Sequence, residues 1–142
     1  MFSQHHSSCL NYINEQKGSK KPFFLYLPIT APHTPILPSK EFQGKTSIGP
    51  YGDFVVMIDD MVRQIVKTLK KNKQLDNTII VFASDNGCAG YIGVKDMEKK
   101  GHFPSYIYRG YKAIFTKVDT EFPLLSPGKE NMGKRQTTLW SH

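Results

Sequence analysis

The amino-acid sequence predicts an α/β fold with a mainly parallel sheet, to which this chain contributes a strand, a helix and a second strand. Two short apolar and aromatic segments, 22–28 and 78–83, have the length and composition of buried strands. Between them, segment 53–71 carries apolar side chains at the spacing i, i+3, i+4, with charged residues on its other face. Parallel strands joined through a helix form a right-handed crossover, so we predict a βαβ unit here.

The remaining elements are predicted from local sequence patterns. Segment 8–16 is predicted to be a short helix, because its apolar residues have helical spacing and Gly18 follows as a C-terminal cap. A proline-rich loop, 28–38, comes after the first predicted strand. The polar, glycine-rich segment 86–109 is interpreted as a loop around one helical turn. In 114–142 the periodicity disappears, which predicts an irregular tail.

Length and composition restrict the class of protein. The 142 residues, 39% of them hydrophobic and 22% charged, provide one modest core or a piece of a larger one, and they exclude wholesale disorder. No apolar stretch approaches the roughly 20 residues of a membrane span, and the first residues lack the pattern of a secretory signal. The two cysteines, Cys9 and Cys88, have no second ligand at metal-finger spacing and are predicted to be free thiols.

The chain is basic, with a formal net charge of +7. Such a charge suits an anionic partner, whether nucleic acid, a membrane surface or an anionic small molecule, and charge alone does not choose among them. Much of the excess comes from lysines at the ends of predicted elements, where lysine commonly stabilises a helix terminus. These lysines are Lys17, Lys20, Lys21, Lys67, Lys70, Lys71 and Lys73.

Two loops that follow the predicted strands carry candidate catalytic or metal-binding residues. Functional groups gather at the carboxyl ends of strands in open α/β sheets. His33 stands between two prolines after the first strand, and Asp85 and Asn86 precede Gly87 after the second. A carboxylate and an amide oxygen are hard ligands that suit Ca²⁺ or Mg²⁺. Each loop taken alone also has an ordinary interpretation, as a surface histidine or as a common turn.

The order of four motifs carries more information than any one of them. Together they resemble the sulfatase family, within the alkaline-phosphatase-like superfamily, over roughly residues 8–113. The motifs are Phe-Leu-Tyr-Leu-Pro-Ile-Thr-Ala-Pro-His-Thr-Pro (24–35), Tyr-Gly-Asp (51–53), Asn-Thr-Ile-Ile-Val-Phe-Ala-Ser-Asp-Asn-Gly (77–87) and Tyr-Arg-Gly-Tyr-Lys-Ala (108–113).

The resemblance implies a fold, a reaction and roles for particular residues. It implies part of an alkaline-phosphatase-like sandwich that hydrolyses sulfate esters with a divalent metal, usually Ca²⁺, and a formylglycine. Asp85 and Asn86 match metal ligands, His33 matches the histidine that hydrogen-bonds the sulfate or leaving-group oxygen, and Lys112 matches the lysine that holds a sulfate oxygen. The substrate class is a sulfated small molecule or glycan, and the implied location is periplasmic or secreted. His102 and Cys88 are interpreted as ordinary loop residues.

Part of the sulfatase pattern is absent from this sequence. The family nucleophile lies in Cys or Ser, x, Pro, x, Arg, and neither Cys9 nor Cys88 has a proline two residues later. The paired aspartates before that motif and the Lys and His pair after it are also absent. We therefore predict an internal fragment of the catalytic domain, inactive alone, whose formylglycine belongs to a missing N-terminal part.

Two alternatives remain open. One is a phosphate or phosphonate ester hydrolase of the same superfamily, which a bare Thr or Ser nucleophile would mark. The other is a non-catalytic basic module that binds nucleic acid, which requires aromatic side chains exposed among lysines and arginines. We expect no nucleic-acid partner, because the aromatic residues of the two segments are predicted to lie in core strands: Phe23, Phe24, Tyr26 and Phe82. The sequence carries no signal for an oligomeric state.

The family resemblance stops after Ala113. Sulfatases usually continue with Glu-Gly-Gly-His-Arg, one residue and Pro, whereas this chain reads Ile-Phe-Thr-Lys-Val-Asp-Thr-Glu-Phe-Pro (114–123). After back-translation with chosen synonymous codons, one base added behind the codon of Ala113 gives Asp-Ile-Tyr-Glu-Gly-Gly-His-Arg-Ile-Pro. We predict a sulfatase part in 1–113 and an out-of-frame tail in 114–142; the alternative is a divergent but genuine tail.

Overall fold

The computed structural model describes residues 2–106 and 111–112, and the side chains of residues 2–4 lie outside the description. Three α-helices are present in this part: α1 (Phe2–Glu15), α2 (Pro50–Lys71) and α3 (Val94–Lys99). Short 3₁₀ helices occur at Lys40–Phe42, Leu75–Asn77 and Gly90–Ile92. The chain divides into two compact units, Met1–Thr78 and Ile79–His142. No helix among the described residues has both the length and the apolar character needed to cross a bilayer.

Helices α1 and α2 form the core of the first unit and run in the same direction. His6 of α1 lies within electrostatic range of Asp60 of α2, and further along both helices Asn14 is hydrogen-bonded to Asn72. Their buried side chains recur at helical spacing, as an apolar stripe requires. These side chains are Cys9 and Ile13 from α1, and Phe54, Met57, Ile58, Met61 and Leu69 from α2.

The helix predicted over 53–71 is confirmed and begins a little earlier, at Pro50. Proline is well suited to the first turn of a helix, because its missing N–H would have no intrahelical partner there. The helix predicted over 8–16 is also confirmed, but it extends back to Phe2. Residues 2–7 contain neither proline nor glycine to stop it. The packing of His6 near α2 is a tertiary contact that apolar periodicity does not reveal.

The ends of α1 and α2 are held together by side chains. Asn72 is buried, and its Nδ2 donates to Oδ1 of Asn14 at 3.0 Å. Nε2 of Gln74 donates to the carbonyl oxygen of Gln16 at 3.1 Å. The last carbonyl groups of a helix lack intrahelical donors. Gln74 therefore satisfies a carbonyl at the end of α1, and Nδ2 of Asn72 also lies 3.5 Å from the carbonyl oxygen of Ile13. Gly18 has φ +78°, which confirms it as the residue that lets the chain leave α1.

The predicted βαβ sheet is not observed. No described residue lies in a β-strand, although Thr78, the first residue of the second predicted strand, has an extended backbone with φ −126° and ψ 128°. A strand requires hydrogen bonds to a neighbouring strand, and the local sequence specifies only the extended backbone. The predicted strands 22–28 and 78–83 therefore lack the ladder partners that would define a sheet in the described part of the chain.

The prediction that the aromatic residues of these segments are buried is wrong for two of them. Phe24 is 88% exposed and Tyr26 is 76% exposed, while Phe23 and Phe82 are partly buried. Phe23 packs edge-on against Tyr12, with 5.8 Å between the ring centres. Without neighbouring strands, the alternate side chains of an extended segment have nothing to cover them. The argument against a nucleic-acid partner, which depended on the burial of these aromatic side chains, therefore does not hold.

The second unit contains the loop and helical turn predicted over 86–109. Helix α3 occupies Val94–Lys99, and its apolar residues Val94 and Met97 are buried. The one-turn interpretation is thus confirmed. The predicted irregular tail, 114–142, and Arg109 of the fourth motif lie outside the described residues.

Candidate functional site

The loop after the second extended segment is organised by its own short hydrogen bonds. Oγ of Ser84 donates to the carbonyl oxygen of Asn86 at 2.7 Å, and Nδ2 of Asn86 donates to the carbonyl oxygen of Gly87 at 3.0 Å. The amide nitrogen of Asn86 is thus occupied, which leaves its Oδ1 as the available ligand atom. The carboxylate of Asp85 is exposed and has no hydrogen-bond partner among the described residues. Two hard oxygen donors are therefore free in this loop.

Lys112 is attached to the same loop through its backbone. Its N–H donates to the carbonyl oxygen of Cys88 at 2.8 Å, two residues after Asn86. The preceding residue, Tyr111, donates from its hydroxyl to Oε1 of Glu98 at 2.8 Å, and its ring lies against Gly90. The hydrogen bond to Glu98 raises the pKa of Tyr111, so the phenol stays protonated as the donor. Helix α3 therefore holds segment 111–112 in place.

Cys88 and His102 show no sign of a catalytic role. Sγ of Cys88 lies 3.6 Å from Oγ of Ser105, and burial raises the pKa of the Cys88 thiol. A thiol kept protonated is a poor nucleophile and a poor metal ligand. His102 is held by its backbone N–H, which donates to the carbonyl oxygen of Met97 at 2.9 Å. Both cysteines are free thiols, as the sequence predicts.

His33 lies in the first unit, on the proline-rich loop, and its side chain is exposed. Its backbone N–H donates to the carbonyl oxygen of Thr30 at 2.9 Å. Its Nδ1 lies 2.8 Å from the carbonyl oxygen of Thr34. A carbonyl can only accept, so Nδ1 carries the proton of this bond and Nε2 is the ring nitrogen that remains available to a ligand.

The structure brings three of the four predicted site residues into one loop cluster. Asp85, Asn86 and Lys112 belong to the second unit and are joined through Cys88, whereas His33 belongs to the first. The described residues contain no group of three or more His, Cys, Asp or Glu side chains that could hold a metal ion. The Asp85–Asn86 pair therefore represents part of a metal site at most, since Ca²⁺ takes about six to eight oxygen ligands.

The sequence did not predict that the aspartate of the Tyr-Gly-Asp motif holds a loop by hydrogen bonds. Asp53 is only 3% exposed, and its carboxylate accepts hydrogen bonds from the backbone N–H groups of Gly44 and Thr46. A carboxylate in the first turn of a helix is a recognisable signal, because the helix dipole favours it there. Its partners are loop residues seven and nine positions earlier, and no sequence periodicity connects them.

The arrangement of motifs and the loop geometry can be compared with known proteins. The family model described as Sulfatase matches residues 4–138, which is most of the chain. This chain belongs to the sulfatase family. The match also extends past Ala113 into the region predicted to be a tail.

Individual sulfatases resemble the chain in sequence. The N-acetylgalactosamine-6-O-sulfatase of Bacteroides thetaiotaomicron is 35% identical over 122 residues, covering 82% of this chain and 24% of that protein. The N-acetylgalactosamine-6-sulfatase of Sus scrofa is 42% identical over 94 residues, which is 66% of this chain and 18% of that protein. The human steryl-sulfatase is 36% identical over 101 residues, which is 69% of this chain and 17% of that protein.

Solved structures agree with the sequence comparison. A structure reported for glycosaminoglycan metabolism by Bacteroides thetaiotaomicron superposes with a TM-score of 0.73 and 32% identity, covering 88% of this chain and 28% of that one. The crystal structure of Ps i-CgsB in complex with a neocarrahexaose superposes with a TM-score of 0.65 and 29% identity, covering 84% and 26%. This sulfatase chain therefore spans about a quarter of the length of these relatives.

Proposed function

We propose that this chain contributes part of the active site of an enzyme that hydrolyses sulfate esters on glycans, with a 6-sulfated N-acetylgalactosamine unit as the substrate class. The observation that carries the proposal is the hydrogen bond from the Lys112 N–H to Cys88, which joins a lysine to the loop of Asp85 and Asn86. The substrate class is supported by the names of the bacterial and mammalian relatives.

Asp85 and Asn86 are proposed to hold the divalent metal. Their carboxylate and amide oxygens fit the hard-ligand chemistry of Ca²⁺, and the Asn86 nitrogen is already bonded to Gly87. Bound Ca²⁺ supplies positive charge that stabilises an anionic sulfate group. Two donors do not complete such a site, and the family resemblance attributes further ligands to paired aspartates that this sequence lacks.

Lys112 and His33 are proposed to contact the substrate oxygens. Negative charge develops on the non-bridging and leaving oxygens of a sulfate ester in the transition state. The ammonium group of Lys112 stabilises a non-bridging oxygen, and Nε2 of His33 donates to the sulfate or leaving-group oxygen. Because the Nδ1 proton is committed to Thr34, Nε2 donates only when the ring carries both protons. His33 would therefore act as a cationic donor.

The nucleophile is proposed to come from outside this sequence. Without a Cys or Ser, x, Pro, x, Arg motif, the chain alone should not turn over substrate, since nucleophile loss costs many orders of magnitude. The same motif distinguishes a sulfatase from the main alternative, a phosphate or phosphonate ester hydrolase. Sequencing the genomic DNA on both sides of this reading frame tests the point. An upstream bare Thr or Ser in place of that motif would favour the rival.

A chimeric enzyme tests the proposed site directly. Residues 8–113 replace the aligned residues of the Bacteroides relative, and hydrolysis of 6-sulfated N-acetylgalactosamine is measured. We expect Lys112→Gln to lower kcat/KM by about 100-fold or more, because it removes a charge aimed at the transition state. Lys95→Gln, which removes a lysine from α3, is the matched control and should change the rate less than about twofold. Equal losses in both variants would contradict the role of Lys112.

The metal assignment has its own test in the same chimera. Calorimetry with Ca²⁺ should show binding that Asp85→Ala abolishes, because the change removes both a ligand and a negative charge. Asp96→Ala removes an exposed carboxylate from α3, which is paired with Lys99, and should leave Ca²⁺ affinity unchanged. In the isolated chain we expect binding only at about millimolar Ca²⁺ or weaker. Unchanged affinity in Asp85→Ala would exclude Asp85 as a ligand.

A further inference from the structure

A group of lysines that are dispersed in the sequence gathers at one end of the first unit. Three follow α1 and three lie in or just after the last turn of α2, and all are exposed. We call this group the basic end. Its members are Lys17, Lys20, Lys21, Lys70, Lys71 and Lys73.

The parallel packing of α1 and α2 brings the two sets together. Two parallel helices present their C-termini on the same side, and here side-chain bonds join those termini. The Gln74 amide is bonded to the carbonyl of Gln16 at 3.1 Å. Lys17 directly follows one of these residues and Lys73 directly precedes the other. We infer from this geometry that the two sets of lysines lie at the same end of the first unit.

Helix-end stabilisation accounts for only part of this charge. The negative end of a helix dipole favours cations within about one turn, and Lys20 and Lys21 lie beyond α1. None of the lysines of the basic end forms an ion pair within residues 2–106 and 111–112. The acidic residues nearest in sequence are Glu15 and Asp76, both exposed. A cluster of cations with so few counter-charges attracts polyanions.

We propose that the basic end is a docking surface for a sulfated polysaccharide chain. The identity of this partner rests on the proposed function, since an enzyme acting on sulfated glycans meets a polymer with many sulfate groups. The basic end contains lysines and no arginine. Lysine acts as a mobile point charge, which suits a flexible polyanion whose charged groups have irregular spacing. The surface therefore contacts the polymer in addition to the site that hydrolyses it.

Two triple variants with equal charge change test the proposal. Lys17, Lys70 and Lys71 are changed to Gln in one variant, and Lys95, Lys99 and Lys100 are changed to Gln in the other. The full chain, fused to a soluble carrier, is titrated onto immobilised chondroitin 6-sulfate, with circular dichroism as a check on helix content. We expect the first variant to bind about fivefold to tenfold more weakly at 0.15 M salt and to show a shallower salt dependence. The second variant should bind within about twofold of the parent chain.

The outcomes separate the docking surface from net charge and from the proposed function. Equal weakening in both variants, or equal binding to unsulfated chondroitin, would overturn the docking surface. Tighter binding to single-stranded DNA than to chondroitin 6-sulfate, with the same dependence on the basic end, would overturn the polysaccharide as partner. If the binding contrast is present but the chimera described above does not hydrolyse its sulfate ester, the proposed function fails and the basic end remains a polyanion surface.

Discussion

Thr46 donates two hydrogen bonds to the same carboxylate oxygen of Asp53, from its backbone N–H at 2.8 Å and from its hydroxyl at 3.1 Å. The other carboxylate oxygen accepts the N–H of Gly44 at 2.7 Å. Asp53 sits in the first turn of α2, so this carboxylate fastens the preceding loop to the helix. The Tyr-Gly-Asp motif thereby has a structural function in this chain.

Replacing Asp53 by Asn should loosen the loop over 44–49. The amide has one oxygen to accept bonds that two carboxylate oxygens accept now, so at least one loop N–H loses its partner. In the chimera described above, we expect hydrogen–deuterium exchange at Gly44 and Thr46 to become about tenfold faster or more than without the substitution. Asp59→Asn, an exposed position on α2, is the control. Unchanged exchange in Asp53→Asn would show that the loop is held by other contacts.

The same contact has a predictable pH dependence. Burial acts to raise the pKa of Asp53, but hydrogen bonds from Gly44 and Thr46 outweigh it, so the pKa lies below its ordinary value of 3.8. The stabilisation is therefore complete above that value and is lost as pH falls through the lowered pKa. The difference in exchange between the parent chain and Asp53→Asn should be constant near neutral pH and disappear in acid.

Gly52 should not tolerate a side chain. A Cβ at this position would lie 2.5 Å from Oγ1 of Thr46 and 2.9 Å from Cβ of Ile48, so the loop would have to move. We expect Gly52→Ala to reproduce the fast exchange of Gly44 and Thr46 that is predicted for Asp53→Asn. Gly90→Ala is the control, because its nearest neighbour, the Tyr111 ring, would be at an ordinary contact distance of 3.8 Å. Slow exchange in Gly52→Ala would mean that the loop adapts without losing the Asp53 bonds.

Lys73 adopts a backbone conformation that favours glycine. Its φ is 61°, and the N–H of Gln74 reaches back to the carbonyl of Leu69 at 2.9 Å, which closes the end of α2. Lys73→Gly should stabilise the helix against urea by about 0.5–1 kcal/mol, because the Cβ penalty is removed. Lys71→Gly loses the same charge inside the helix and should destabilise it by about 1 kcal/mol. The urea midpoint of the chimera described above measures both, and destabilisation by Lys73→Gly would contradict the argument.

The isolated chain should aggregate or be partly molten. Phe24, Tyr26, Ile79 and Val81 are exposed on the two segments predicted to be strands, where apolar side chains and unpaired backbone groups promote association. We expect binding of a hydrophobic dye and rapid sedimentation, both reduced by Tyr26→Lys. Val56→Lys, which changes a half-exposed position on α2, should reduce them less. A sharp, reversible two-state melt with dispersed amide NMR signals would refute the prediction.

The reading frame of 114–142 remains a prediction that nucleotide sequence decides. The sulfatase match reaches residue 138, and these residues lie outside the described structure. Resequencing the locus should show that the bases after the Ala113 codon, read one base out of phase, encode Glu-Gly-Gly-His-Arg, one residue and Pro. If they do not, the tail is a divergent but genuine segment.

Local pattern predicted much of this protein. The apolar period of α2, the capping role of Gly18 and the helical turn at α3 all depend on residues within a few positions of one another, and each is confirmed. The order of the motifs was sufficient to identify the family. The roles of His33, Asp85, Asn86 and Lys112 come from that resemblance and remain proposals. The strands show the limit of local pattern, because a strand needs partner backbone that its own sequence does not contain.

Contacts between residues that are distant in the sequence could not be predicted from local patterns. Asn14 and Asn72 are 58 positions apart, and no periodicity relates them, yet their bond helps to align α1 with α2 and so brings separate lysines to one end. Lys112 reaches Cys88 in the same way. Periodic burial and short motifs are encoded locally, so the helices and the family could be predicted from the sequence. The hydrogen bonds that hold the loops, and the placement of the lysines at one end, depend on how whole helices pack against each other. Local sequence patterns do not specify that packing.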